Sequence, residues 1–189
     1  PEEVSTSPSL LTFDPASWSE PQFVVFTATN DIESDGDQTV SVTVTVADSL
    51  SDSLYHPVPD RLVTVQSLDD DIGSFSIQST GGSTAVTESG DLDQVSVVLD
   101  ARPLSDVVLR AESRDSSEGT VSPGEITFSP GDWSVPQFLT LQGVDDPVLD
   151  GTQVTTLLLV VDSTASDPAF IAAGLDSVLV ATGDNDRAS

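Results

Sequence analysis

From Gln38 to Val46 the chain reads QTVSVTVTV. Val40, Val42, Val44 and Val46 fall on one side and Thr and Ser on the other, the two-residue period of a half-buried antiparallel strand. Similar runs recur: FVVFTAT from Phe23, LVTVQS from Leu62, FSIQS from Phe75, QVSVVL from Gln94, DVVLRAE from Asp106, QFLTLQG from Gln137 and SVLVAT from Ser177. The segment QVTTLLLVV from Gln153 alternates poorly, as expected of a strand buried on both faces or flanked by a bulge. Clusters of Gly, Pro, Asp and Ser separate the runs, and no amphipathic helix of useful length appears. About seven strands in roughly 100 residues predict an all-β chain of immunoglobulin-like, two-sheet antiparallel sandwiches.

The polar and aromatic punctuation repeats. FDPASWSEPQF (Phe13 to Phe23) and FSPGDWSVPQF (Phe128 to Phe138) share seven identities at a constant offset of 115. The offset continues without a gap: Asp31 meets Asp146, Asp35-Gly36 meets Asp150-Gly151, Gln38 meets Gln153, Tyr55 meets Phe170, and Asp69-Asp70-Asp71 meets Asp184-Asn185-Asp186. Residues 1–71 therefore correspond to 116–186, and the predicted organisation is an incomplete first repeat at 1–71, a complete one at 72–186 and a tail at 187–189. The chain is expected to open partway through a repeat. The motif itself predicts a turn-rich loop in which Trp18 and Trp133, each between two prolines, plug one end of a sandwich. A surface Trp stacking on sugar is the alternative.

Charge narrows the partners. There are 32 acidic residues against five Arg (Arg61, Arg102, Arg110, Arg114, Arg187) and no Lys, a formal charge of −27. Such a surface repels nucleic acid and anionic lipid, and no apolar run reaches the ~18–20 residues of a membrane span. With no Cys and no Met, stability must come from packing, hydrogen bonds or bound ions. Zinc is disfavoured by one His and no Cys. His56, that one His, is replaced by Ile171 in the sister repeat, and no nucleophile-elbow or Gly-rich phosphate motif is present, so no enzyme is expected.

The order TES-G (Thr87 to Gly90), FSPGDW, VDDPVLDG (Val144 to Gly151) and a closing DND (Asp184 to Asp186) resembles Calx-beta repeats and related repeats of bacterial surface proteins. The resemblance covers 72–186 and the later part of a repeat at 1–71. It implies a seven-stranded sandwich with calcium at one end, held by Glu88, by Asp145, Asp146 and Asp150, and by Asp184 and Asp186, with Asp115 a looser candidate. In the first repeat the matching acids are Asp31, Asp35, Asp69, Asp70 and Asp71, with Asp37 nearby. Two positions depart from the pattern: Asn185 stands for a carboxylate, and Asn30 stands opposite Asp145. The first repeat also has no counterpart of Glu88 within these residues.

Calcium takes six to eight oxygens at roughly 2.3–2.6 Å in flexible geometry, and acids clustered in loops at strand ends can converge on it. Against this stand the turn preference of Asp and the general acidity of a halophilic surface. The expectation is a calcium-stabilised structural or adhesive module of a secreted or cell-surface protein, a stalk, matrix or filament component. Its partners would be neighbouring repeats or copies of itself, including by strand addition to the incomplete repeat, with a cation at Asp69 to Asp71 stiffening the junction. The alternative is a module recognising glycan or protein.

Overall fold

The computed structural model describes residues 3–187. Residues 188 and 189 of the expected tail, and 1 and 2 of the first repeat, lie outside the described residues. The chain divides into two compact units, one of residues 1–31 and 36–69, the other of residues 32–35 and 70–189. Residues 32–35 group with the second unit through a parallel bridge between Glu33 and Arg102, whose side chains pair at 3.0 Å.

The first unit holds β1 (Val4–Ser7), β2 (Val25–Ala28), β3 (Gln38–Val44) and β4 (Arg61–Ser67). They form two separate two-stranded sheets, β1–β2 and β3–β4, both antiparallel. Among the described residues Val4 is this unit's one buried apolar side chain.

The second unit holds β5 (Phe75–Ser79), β6 (Ala85–Thr87), β7 (Leu92–Leu99), β8 (Val107–Ser113), β9 (Gly119–Ser122), β10 (Glu125–Phe128), β11 (Gln137–Gly143), β12 (Gln153–Val161) and β13 (Leu175–Gly183). One sheet runs β10–β8–β12–β13–β6 and the other β5–β7–β11–β9. Inward positions alternate as the sequence dictates: Val95, Val97 and Leu99 on β7 and Leu139 and Leu141 on β11 line one core with Leu109, Leu157, Leu159 and Phe128. β12, whose alternation is poor, lies inside its sheet between β8 and β13, and Leu157, Leu158 and Leu159 are all buried. The protein is thus all-β, with the complete sandwich in the second unit. One pair departs from the antiparallel expectation: β6 runs parallel to β13.

The repeat is exact in register where both copies are present. β1 pairs Val4 with Ala28 and Ser7 with Val25, as β9 pairs Gly119 with Gly143 and Ser122 with Thr140 on β11. Gln38 faces Ser67 as Gln153 faces Thr182. In the aromatic motif the Gln side chain ties the loop to the segment before it. Gln22 Nε2 donates to the Thr12 carbonyl at 2.7 Å and Gln137 Nε2 to the Thr127 carbonyl at 2.6 Å.

The Trp plug is realised in one copy only. Trp133 is half-buried against the core, and its carbonyl accepts the Leu99 N–H at 3.2 Å. Trp18 is 72% exposed, correcting the expectation. Leu99 belongs to the 72–115 part of the repeat, which has no counterpart in the first unit, so nothing comparable covers Trp18. For the same reason residues 10–13, which correspond to β10, form no strand: β10 exists by pairing with β8.

Leu159→Ala should therefore cost about 2–5 kcal/mol, as for a fully buried Leu, and its repeat equivalent Val44→Ala, at a half-exposed position, within about 0.5 kcal/mol. Urea unfolding followed by Trp133 for the first and Trp18 for the second, each in a chain whose other Trp is Phe, checks the contrast.

Candidate metal centre

The parallel pairing of β6 and β13 builds the site. Thr87 lies opposite Gly183, so the chains leave the sheet side by side and in the same direction. The next residues are Glu88 and Asp184. The Glu88 N–H bonds the Gly183 carbonyl at 3.0 Å, which fixes the loop at its first residue. One carboxylate oxygen from each of Glu88, Asp184 and Asp186 can be chosen so that all lie within 4.8 Å of one another. An antiparallel edge would have carried the two acids to opposite ends of the sheet.

Two glycines make room. A Cβ on Gly143, at the end of β11, would stand 2.1 Å from the Thr87 carbonyl oxygen and 3.3 Å from the Glu88 nitrogen. Only Gly lets this strand end press against the segment carrying Glu88. Gly151 has φ +77° in the loop after β11 and donates its N–H to Asp184 Oδ2 at 2.8 Å.

Glu88 is 2% exposed. A hydrogen bond from the Asn185 N–H at 3.2 Å draws its carboxyl down, but burial and the charges of Asp184, Asp146 and Asp150 outweigh it and leave it raised. Asp186 is raised by burial and then by Asp184, Asp145, Asp146 and Asp150. Asp184 goes the other way: N–H groups of Gly151, Asp186 and Asp150 hold it ionised, below the usual carboxylate range. Asn185, standing where a carboxylate was expected, links the cluster by donating its Nδ2 to Asp145 Oδ1 at 2.9 Å.

Sequence reasoning missed Glu118. It lies directly before β9, where its carbonyl accepts the Val144 N–H and the Thr182 hydroxyl, both at 3.1 Å. Its carboxyl is raised by burial, then by Asp150, Asp115, Asp146 and Glu88. The signal was present: the 115 offset pairs Glu118 with Glu3, whose carbonyl likewise accepts the Thr29 N–H at 2.9 Å. Two buried carboxylate oxygens, Glu118 Oε2 and Asp186 Oδ2, have no hydrogen-bond partner, and none of the four ion pairs among the described residues reaches the cluster. Buried anionic oxygens without donors are what a hard cation satisfies.

No family model matches the chain, and no curated protein matches it. Among solved structures it is similar to the apo form of the Calx CBD1 domain, at 16% identity over 60% of this chain and 99% of that one, with TM-score 0.41. It is also similar to domains 4 and 5 of the S-layer protein SbsC, at 14% identity over 66% and 62%, with TM-score 0.35. The chaperone DraB of E. coli is similar at 7% identity over 62% and 59%, with TM-score 0.44.

The other expected ligands are placed less centrally. Asp115 accepts the Ser117 N–H and hydroxyl on Oδ1, which lowers its carboxyl and commits that oxygen. Asp145 Oδ1 holds Asn185, and Asp146 Oδ1 caps the Val148 N–H at 2.8 Å. Asp150 acts on its neighbours by charge, and its carbonyl accepts Gln153 Nε2 at 3.1 Å. Within the first unit, Asp69 accepts the Gly36 N–H at 2.6 Å, the same bond Asp184 makes with Gly151. Asp31 belongs to that unit, whereas Asp35, Asp70 and Asp71 group with the second. Asp69, Asp70 and Asp71 are consecutive, so their proximity follows from the chain and not from the fold.

Gly143→Ala should displace Glu88 and cost about 1–3 kcal/mol, as overpacking does. Gly151→Ala, with open space around its Cβ, should cost only the left-handed backbone penalty of about 1–2 kcal/mol. Denaturant titration of both variants by Trp133 fluorescence measures the pair.

Proposed function

We propose that the chain is a calcium-stabilised structural repeat module of a secreted or cell-surface protein, serving as stalk, matrix or filament material. The observation that carries this reading is the buried, partnerless Oδ2 of Asp186 in the cluster it forms with Glu88 and Asp184, together with a second such oxygen on Glu118, whose carboxyl feels the charge of Glu88. Glu88, Glu118, Asp184 and Asp186 would hold the ion, with Asp145, Asp146 and Asp150 adding negative charge around it. Calcium would supply charge neutralisation and a cross-link between β6, the loop before β9 and the segment after β13. At a concentration about 100-fold above its Kd, a ligand that binds only the folded state adds ~2.7 kcal/mol.

The reading assigns the chain no catalytic step. His56 is exposed, with a ring nitrogen 3.3 Å from the Ser51 carbonyl. The recognition alternative rests on Trp18, but its repeat equivalent Trp133 packs on a core, which makes Trp18 an uncovered core ring before it is a sugar platform. A generally halophilic surface, without a specific ion, is the competing account of the acid.

The two accounts part on sign. In chelator the raised carboxyls of Glu88, Glu118 and Asp186 mean that the folded state binds more protons than the unfolded one just above the ordinary carboxylate range. There these groups destabilise, and the penalty is relieved as pH falls through their raised values. Glu118→Gln and Asp186→Asn should accordingly raise the melting temperature in chelator at neutral pH and lower it in millimolar calcium. Magnesium, which demands stricter geometry, should stabilise less than calcium. Thermal melts in calcium, magnesium and chelator read all three effects. Equal shifts with any salt, or one sign under every condition, would establish the halophilic account.

A further inference from the structure

The aromatic motif sends its rings to different places in the complete sandwich. Phe128 is 0% exposed and Trp133 packs on the core, whereas Phe138 is 51% exposed. Phe138 precedes the buried Leu139 on β11, so strand alternation turns it outward, and its exposure is not a gap in packing. The offset of 115 repeats the residue as Phe23. Neither the core nor the metal centre uses this ring.

The face around it is free of charge. Across β5, β7 and β11, Gln78 lies beside Ser96 and Ser96 beside Phe138. The next row sets Gln94 beside Thr140, with Gln94 Nε2 donating to the Thr140 hydroxyl at 3.3 Å, and Gln142 follows on β11. The remaining outward positions of the four strands are Ser, Thr, Leu92 and Val98. The one charged residue in β5, β7, β9 and β11 is Asp93, which lies opposite the inward Leu141 and accepts the Ala85 N–H at 3.1 Å. By contrast, the outward face of the other sheet carries Arg110, Glu112 and Glu125. With 32 acidic residues in the chain, a sheet face without one sets this surface apart.

We propose that this face binds an uncharged polysaccharide, with Phe138 stacking on a sugar ring and the amides of Gln78, Gln94 and Gln142 and the Thr140 hydroxyl bonding sugar hydroxyls. An aromatic surface with a few placed polar groups holds and orients a ligand that has both apolar and polar sides. A Gln amide both donates and accepts, which suits a hydroxyl that does the same. Ions beneath a neutral ligand would lose water without gaining a partner, so a floor without them fits an uncharged occupant. A protein partner fits less well. Interface centres are enriched in aromatic residues, Met and Arg and depleted in Ser, whereas this face offers one ring among amides and hydroxyls. Phe138 to Gln142 spans about 13 Å along β11, and the four strands about 14 Å across, a footprint larger than a single sugar. The inference is independent of the calcium reading.

Affinity electrophoresis in native gels tests it, with hydroxyethylcellulose, mixed-linkage β-glucan, xyloglucan, galactomannan and dextran as the uncharged probes. At least one should retard the chain, and titration calorimetry with that polymer should give the same Kd at low and high salt, since no charge takes part. Phe138→Ala should abolish the retardation, and Gln94→Ala should raise Kd severalfold. Gln94→Ala leaves the ring in place and covers the case in which Phe138→Ala folds poorly. Trp18→Ala, at the other exposed aromatic of the motif, should leave binding unchanged. Absence of retardation by every polymer, unchanged binding by both face variants, or loss of binding with Trp18→Ala overturns the proposal. So does a dimer in sedimentation that Phe138→Ala dissolves, which would assign the face to a second copy of the chain.

Discussion

Each half of the repeat supplies half a hydrophobic core, and neither half buries its own face. That single constraint governs the molecule. Where both halves are present, side chains from β5, β7 and β8 meet those from β10 to β13, and each buried aliphatic group contributes about 1.5–3 kcal/mol. Where only the later half is present, the same hydrogen-bond registers form, but the apolar side chains stay wet. Local pairing rules hold in both units; burial distinguishes them. A two-stranded sheet with an exposed apolar face is marginal by itself.

The acidic end of the second unit depends on the same halves. Glu88 comes from the early half of the repeat, and Glu118, Asp184 and Asp186 come from the later one. Glu88, Asp184 and Asp186 meet because β6 pairs with β13 in parallel, and they stay close because Gly143 admits the segment behind Glu88. The site is electrostatically unfavourable as built: Glu88, Glu118 and Asp186 are raised by burial and by neighbouring acids, while N–H groups hold Asp184 down, and no ion pair among the described residues reaches the cluster. A cation bound there would be a structural component of the fold, replacing mutual repulsion with shared coordination.

Much of this was legible in the sequence. The alternation of QTVSVTVTV and its relatives marked the strands, and the offset of 115 aligned positions that the structure pairs in the same register in both units. The fate of Trp18 was not legible in its own motif, because burial depends on which other strands exist. Glu118 was missed because it belongs to no named motif and becomes an acid of the site only when β9 is placed beside β13. The parallel course of β6 was equally hidden: three residues, Ala85 to Thr87, carry too little pattern to announce a direction. Asp115 fitted the spacing, yet Ser117 two residues later claims its oxygen.

The parallel β6–β13 pair also has a mechanical meaning. A pull applied at the start of β6 and at the end of β13 would act on the two strands from opposite ends of their shared ladder. Because the strands run in the same direction, these pulls act oppositely along a common axis. The ladder between them is then loaded in shear, with its hydrogen bonds strained together instead of peeled one at a time. Glu88 and Asp184 stand at the end of that ladder, so any cross-link between them would act as a rivet on the bonds that bear the load.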